Sequence, residues 1–242
     1  MNRFEDTDRY EAQIRACAQL LHRLEPLKPV IAGGAICSWI STEPARDLDI
    51  WIAADSMSTT NISKWQTELG TYLGSASDIS HDVDGASETA TAIRVFKTTI
   101  PVMEIGRIVP EMLDVDIVIY DGRDGDAVTG FDWTYSAMSW GWNVIRNEPV
   151  VNTLGLDDFA NGEFVPIRQG DASRSLDDAM SKARGYGAFG TGRVTRLGFD
   201  RVVTMLTDAY PQTLEIGDTC KKCGEEWRER ALMFSTHVGC IC

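Results

Sequence analysis

Asp47 and Asp49 stand two residues apart in the run Asp47-Leu-Asp-Ile-Trp-Ile52, and twelve residues separate them from the pair Gly33-Gly34. In an extended segment side chains alternate between faces, so Asp47, Asp49 and Trp51 share one face while Leu48, Ile50 and Ile52 point into a core. Like charges side by side in a half-buried strand repel, and a hard divalent cation between them removes the repulsion; carboxylate oxygens of this kind suit magnesium. Gly33 and Gly34 follow the apolar run Val30-Ile-Ala32 and let the backbone approach phosphate oxygens with no Cβ in the way. These types at this spacing imply metal-assisted handling of a polyphosphate.

A second group of chemically able residues closes the chain. Cys220-Lys-Lys-Cys-Gly is followed by His237-Val-Gly-Cys-Ile-Cys242, which puts four of the six cysteines and one of the three histidines in this stretch. Two such pairs at this separation match a tetrahedral zinc shell, assigned to Cys220, Cys223, His237 and Cys240, with Cys242 replacing His237 as the alternative. A tail this short builds no core of its own, so a structural zinc would supply its folding energy.

The elements that must position these groups follow from periodicity. Tyr10, Ile14, Cys17, Leu20, Leu21 and Leu24 mark a helix over 8–24, closed by Pro26 and Pro29. Strands are expected at 30–32 and 48–53 with a short helix over 35–40 between them, then a helix over 61–72 capped by Asn61. Residues 75–88 read as an exposed loop, and two or three strands follow at 92–98, 100–105 and 112–120. Residues 132–142 read as a strand or a short helix, with Trp133, Tyr135, Trp140 and Trp142 as core residues or as platforms for stacked bases. A helix over 176–187, a turn over 185–192 and a helix over 199–209 complete the reading. This makes an α+β fold, a small mixed sheet flanked by helices, with a catalytic domain over 1–148, a helical and locally basic region over 149–212 and the cysteine tail over 213–242.

Composition sets the outer bounds. The 242 residues are 43% hydrophobic, enough for one good core and a smaller second unit. With 36 acidic against 23 basic residues the net charge is −13, which opposes a sequence-independent grip on nucleic acid. The balance reverses locally through Arg168, Arg174, Lys182, Arg184, Arg193, Arg196 and Arg201, and the arginines among them either meet a triphosphate or an RNA backbone or form a solvated helix face. No stretch approaches the roughly 18 consecutive apolar residues that a membrane span requires, and the acidic start is unlike a signal peptide, so a cytoplasmic protein is expected.

The order Gly33-Gly34 then Asp47-Leu-Asp49 resembles the signature of the DNA polymerase beta-like nucleotidyltransferase superfamily. Phe131-Asp-Trp-Thr-Tyr-Ser-Ala-Met-Ser-Trp140 is similar to the second motif of CCA-adding enzymes and bacterial poly(A) polymerases, through Asp132, Thr134, Ala137 and Met138, and to a phrase of phage-type members. The resemblance implies two magnesium ions on Asp47, Asp49 and a third carboxylate on the strand Leu113-Asp-Val-Asp-Ile-Val-Ile119, with Asp116 the first choice and Asp114 the second. It also implies a nucleoside triphosphate substrate cradled by Gly33, Gly34 and Ser38, with Asp132 orienting the nucleotide or a neighbouring arginine. Two departures argue against a standard CCA-adding enzyme: Cys37 and Ser38 replace an Arg-Asp pair, and Gly130 and Phe131 replace two arginines. The implied acceptor is an RNA 3′ end, with a protein or small-molecule hydroxyl, or a non-catalytic nucleotide-sensing or interaction module, as alternatives.

Overall fold

The computed structural model describes residues 3–74, 79–82, 92–104, 106–122, 127–167 and 175–211. In chain order the elements are α1 (Arg3–Arg23), β1 (Val30–Ala32), α2 (Gly34–Ile40), β2 (Asp47–Ala53) and α3 (Ile62–Leu73). They continue as β3 (Ser80–Asp82), β4 (Ala92–Val102), β5 (Glu111–Tyr120), β6 (Ser139–Asn143), β7 (Glu148–Asn152), α4 (Leu156–Asn161), α5 (Leu176–Arg184) and α6 (Arg193–Ala209). Strand β2 alternates polar and apolar side chains, and it lies at the centre of a seven-stranded sheet ordered β3-β4-β5-β2-β1-β6-β7. Among the described strands only the β2–β5 pair is parallel; every other neighbouring pair is antiparallel. The sheet is therefore mixed and flanked by helices, as expected.

One face of the sheet carries the main core. Leu48, Ile50 and Ile52 of β2 and Val115, Ile117 and Ile119 of β5 are fully buried there, with Ile14 and Leu21 of α1, Leu24 just past its end and Trp39 of α2 in the same cluster. The apolar spacing that predicts α1 is thus the stripe it buries. A buried glutamine fixes how α1 meets the chain before β2: the Gln13 side-chain amide donates to the Ala45 carbonyl at 3.0 Å and its oxygen accepts from the Ala45 N–H at 2.7 Å and the Trp39 indole N–H at 3.3 Å. Asn61 caps α3 as its sequence position implies, its side chain accepting from the Ser63 N–H at 3.1 Å.

Several elements differ from expectation. The loop expected over 75–88 contains β3, which pairs with β4 through Ser80–Asp82. Of the two or three strands expected at 92–98, 100–105 and 112–120 there are two, because residues Arg94 to Val102 all pair with β5 as one strand. Pro101 stands outside Val95–Lys97, the part of β4 that pairs with β3 among the described residues, so no described partner on that side needs the N–H it lacks. The stretch 132–142 holds both expected forms in succession, a 3₁₀ turn at Thr134–Ser136 and then β6. Strand β7 and helix α4 were not foreseen, and α6 begins six residues earlier than the apolar spacing implied.

The chain separates into Met1–Tyr210 and Pro211–Cys242. The border expected at 148/149 falls at the start of β7, and Phe159, Ala179, Phe199 and Leu206 beyond it join the same buried cluster as Ile14 and Ile50. Residues expected to form two regions therefore share one core. Arg168, Arg174 and the tail residues Cys220, Cys223, His237, Cys240 and Cys242 lie outside the described residues. Among the described residues no helix is long and apolar enough to cross a membrane.

Candidate active site

Because β2 and β5 run parallel in register, Asp47 stands opposite Asp114 and Asp49 opposite Asp116. Strand β4, on the far side of β5, sets Lys97 opposite Asp116 and Thr99 opposite Asp114. Two polar rows thus cross three strands, Asp49–Asp116–Lys97 and Asp47–Asp114–Thr99. Adjacent strands lie about 4.8 Å apart, whereas residues two along one strand are about 6.6 Å apart, so Asp49 is closer to Asp116 than to Asp47. Asp49 and Asp116 are half-buried, and Asp47 and Asp114 are exposed.

The next row on this face is apolar. Trp51, Val118 and Val95 are buried together with Phe131 and Tyr120 in a second, smaller cluster. The Trp51 ring lies 5.2 Å from that of Phe131 and 6.0 Å from that of Tyr120. The Asp49–Asp116 pair thus sits at the border between a dry cluster and an open groove, where charges interact more strongly than in bulk water.

The glycine turn closes on this pair. Gly33 has φ +84°, and a Cβ there would lie 3.4 Å from the Phe131 ring and 3.7 Å from Asp49 Oδ2. A Cβ at Gly34 would lie only 2.9 Å from the Tyr186 hydroxyl. The Gly33 N–H donates to the Met138 carbonyl at 3.1 Å, and the Cys37 thiol reaches the Tyr135 carbonyl at 3.9 Å. The two sequence motifs, 98 positions apart at this contact, therefore dock on one another.

The second motif is itself clamped. The Thr134 N–H donates to the Val165 carbonyl at 2.9 Å, the Ile167 N–H to the Asp132 carbonyl at 3.0 Å and the Gly155 N–H to the Ala137 carbonyl at 2.9 Å. Any side chain at Gly155 is excluded, because its Cβ would fall 1.7 Å from the Thr134 oxygen. Ala137, Met138 and Trp140 are fully buried, so these three letters of the motif are packing positions; Asp132 and the half-buried Trp133 reach the groove.

Gly33, Gly34, Asp49, Asp116, Asp132 and Trp133 line a cavity of about 220 Å³. A second hollow of about 360 Å³ is lined by Asp47, Ser80, Thr98, Thr99 and Asp114, and it shares Lys97 and Asp116 with the first. The register separates Asp116 from Asp114 where the sequence could not: Asp116 lines both hollows and Asp114 only the outer one. Asp47 is likewise on the outer side. Ser38 lies half-buried on α2 and lines neither. Among the described residues no group of three or more Asp, Glu, His or Cys side chains is gathered closely enough to hold a metal ion through protein donors alone.

Two cavity residues, Lys97 and Tyr186, were not foreseen, and Lys182 was counted in the basic stretch without a place in the site. Lys97 sits at the right parity of β4, but only its pairing with β5 reveals the fact. Lys182 and Tyr186 are four apart at the end of α5 and in the turn after it, a spacing visible in the sequence without its target. Burial raises the Tyr186 hydroxyl above its ordinary range, aided by Cys37, Tyr135 and the charges of Asp49 and Asp47, so it remains a proton donor. Burial pushes the Cys37 thiol up to about 12 against the opposing pull of Lys182, which leaves it neutral and inert as a nucleophile. The other arginines of the basic stretch divide. Arg201 donates to the Trp39 and Ile40 carbonyls at 3.4 and 3.2 Å and so caps α2, Arg196 pairs with Asp157 at 2.9 Å, and Arg184 and Arg193 are exposed.

Fold and site together define a mixed α/β protein with a carboxylate-lined groove on the open face of its sheet. No family model matches the chain, and no curated protein matches it. A solved structure titled "tRNA-processing enzyme (apo form I)" is similar with a TM-score of 0.41 and 14% identity, over 78% of this chain and 46% of that one. The chain thus spans about half the length of that structure, and so loose a likeness carries neither a fold family nor an activity across.

Proposed function

We propose that the protein is a magnesium-dependent nucleotidyltransferase that moves a nucleoside monophosphate from a nucleoside triphosphate to an acceptor hydroxyl and releases pyrophosphate. The observation that carries this reading is the in-register pair Asp49–Asp116 beside the Gly33-Gly34 turn. Magnesium binds through one or two carboxylates together with waters and substrate phosphates rather than in an all-protein cage, and this pair offers hard oxygen donors in that number. Asp49 and Asp116 would hold one ion, and Asp47, one row out, would join a second. Bound there, magnesium supplies charge stabilisation to the phosphoryl group and the departing pyrophosphate.

The protein's own groups do the rest. The Gly33-Gly34 turn admits the phosphates to within reach of the backbone, Lys182 offsets their charge, and the protonated Tyr186 hydroxyl donates a hydrogen bond to them. Ser38 remains a further candidate donor on α2. Asp116, open to both hollows, accepts the proton of a hydroxyl arriving from the outer one. Asp132 orients the nucleotide, and Trp133 offers it a ring face.

The leading acceptor is an RNA 3′ end, because the second motif resembles that of enzymes that extend one. A protein or small-molecule hydroxyl is the second reading, favoured by the net charge of −13. Incubation with magnesium and each α-labelled nucleoside triphosphate, with and without total RNA, decides between them. Label at an RNA 3′ end, lost in Asp49→Ala, is the expected result; label on protein or on a small molecule selects the second reading. Nucleotide binding without transfer identifies a non-catalytic sensor, and the absence of binding sinks the reading. A structural zinc on Cys220, Cys223, His237 and Cys240, or with Cys242 in place of His237, predicts about one zinc per chain in untagged protein and its loss in Cys220→Ser.

A further inference from the structure

Asp47, Asp49, Asp114 and Asp116 share one face of the sheet, and among the described strand residues lining the two hollows the sheet supplies a single cation, Lys97. Lys97 stands directly opposite Asp116 and extends the row that begins at Asp49. It is exposed, and with Asp116 it lines both hollows. Carboxylates opposed on adjacent strands repel unless a positive charge lies alongside. A lysine is suited to that place and to leaving it, because its ammonium is a compact point charge on a flexible four-carbon stem.

We propose that Lys97 is the resident counter-ion of the carboxylate row, standing where a divalent cation acts and turning to the nucleotide phosphates when metal and nucleotide enter. The nucleotide in this statement rests on the nucleotidyltransferase reading; the competition with metal does not. A divalent ion arriving alone must displace the ammonium into water, where it gains no new anionic partner. A metal–nucleotide complex provides that partner, so metal and nucleotide bind together rather than metal first.

Manganese titration followed by the electron paramagnetic resonance of the free ion tests this on the full chain, with and without a non-hydrolysable nucleoside triphosphate. Without nucleotide, Lys97→Met binds manganese about tenfold more tightly than the wild type, the effect of removing one nearby charge. It also binds nucleotide about tenfold more weakly and loses the tightening of metal that nucleotide induces in the wild type. Lys97→Gln repeats both changes, Lys97→Arg retains the wild-type metal affinity, and Asp49→Asn loses metal in either background, which locates the ion. Manganese affinity in Lys97→Met and Lys97→Gln equal to or weaker than that of the wild type overturns the proposal. If these binding results hold but no acceptor is labelled, the counter-ion stands and nucleotidyl transfer fails; if transfer occurs and the metal affinities do not move, the reverse is true.

Discussion

Each carboxylate of the groove has a different standing, and single substitutions separate them. Asp49→Ala and Asp116→Ala are each expected to lower kcat/KM by about a thousandfold, since they remove ligands that stabilise transition-state charge, while the circular dichroism spectrum stays unchanged. Asp114→Ala, confined to the outer hollow, is expected to lose no more than about tenfold and to act through KM for the acceptor. Equal losses at Asp114 and Asp116 would show that register does not assign the third ligand. Gly34 is tested through its neighbour: Gly34→Ala brings a Cβ to 2.9 Å from the Tyr186 hydroxyl, so adding Tyr186→Phe is expected to restore part of the thermal stability lost. The same double variant would recover nothing if Gly34 were needed only for its backbone freedom.

Strand β2 owes its place to contacts made by other elements. Gln13, buried in α1, holds both backbone groups of Ala45 and the Trp39 indole N–H, and so fixes where the chain turns into the strand that carries Asp47 and Asp49. Gln13→Leu preserves bulk but strands three buried polar groups, which is expected to cost about 2–4 kcal/mol of stability, read as a lower thermal midpoint. A midpoint within a degree of the wild type would mean that water replaces the amide. Gly198 marks a second close approach, its missing Cβ allowing α6 to pass over the end of α2 where a methyl would fall 2.5 Å from the Ile40 carbonyl oxygen. The outline of β2, α1 and α3 was legible because an apolar period and a cap are local properties. The union of β4, the existence of β3 and the early start of α6 were not, because each depends on a partner distant in the chain.

Across the whole molecule, burial of titratable groups sets a limit at alkaline pH. The fold raises the Cys37 thiol from 9.0 to about 12 and also raises Cys17, Tyr186 and Tyr210, so the native state retains protons that the unfolded chain releases. The stability these groups contribute is complete below pH 9 and is lost as pH rises towards 12 and beyond. Thermal midpoints measured from pH 8 to 11 are expected to fall steadily above 9, and Cys37→Ala should flatten part of that slope. A flat profile in the wild type would show that these groups are not buried in solution. The same burial predicts that Cys17 and Cys37 resist alkylation at pH 8 until the protein unfolds.

Asp47 and Asp49 were assigned to one strand face from alternation alone, and Gly33-Gly34 to a tight turn, because side-chain parity and the absence of Cβ are fixed by covalent structure. The pairing of residues far apart in the chain is not. Register between β2 and β5 brought Asp116 rather than Asp114 beside Asp49, and register between β5 and β4 added Lys97. Docking of the glycine turn on Met138 and of Tyr186 over Gly34 turned two separate motifs and a helix end into one cavity. A sequence specifies which face a residue occupies; only hydrogen bonding between strands and close packing across the core decide which residues meet there.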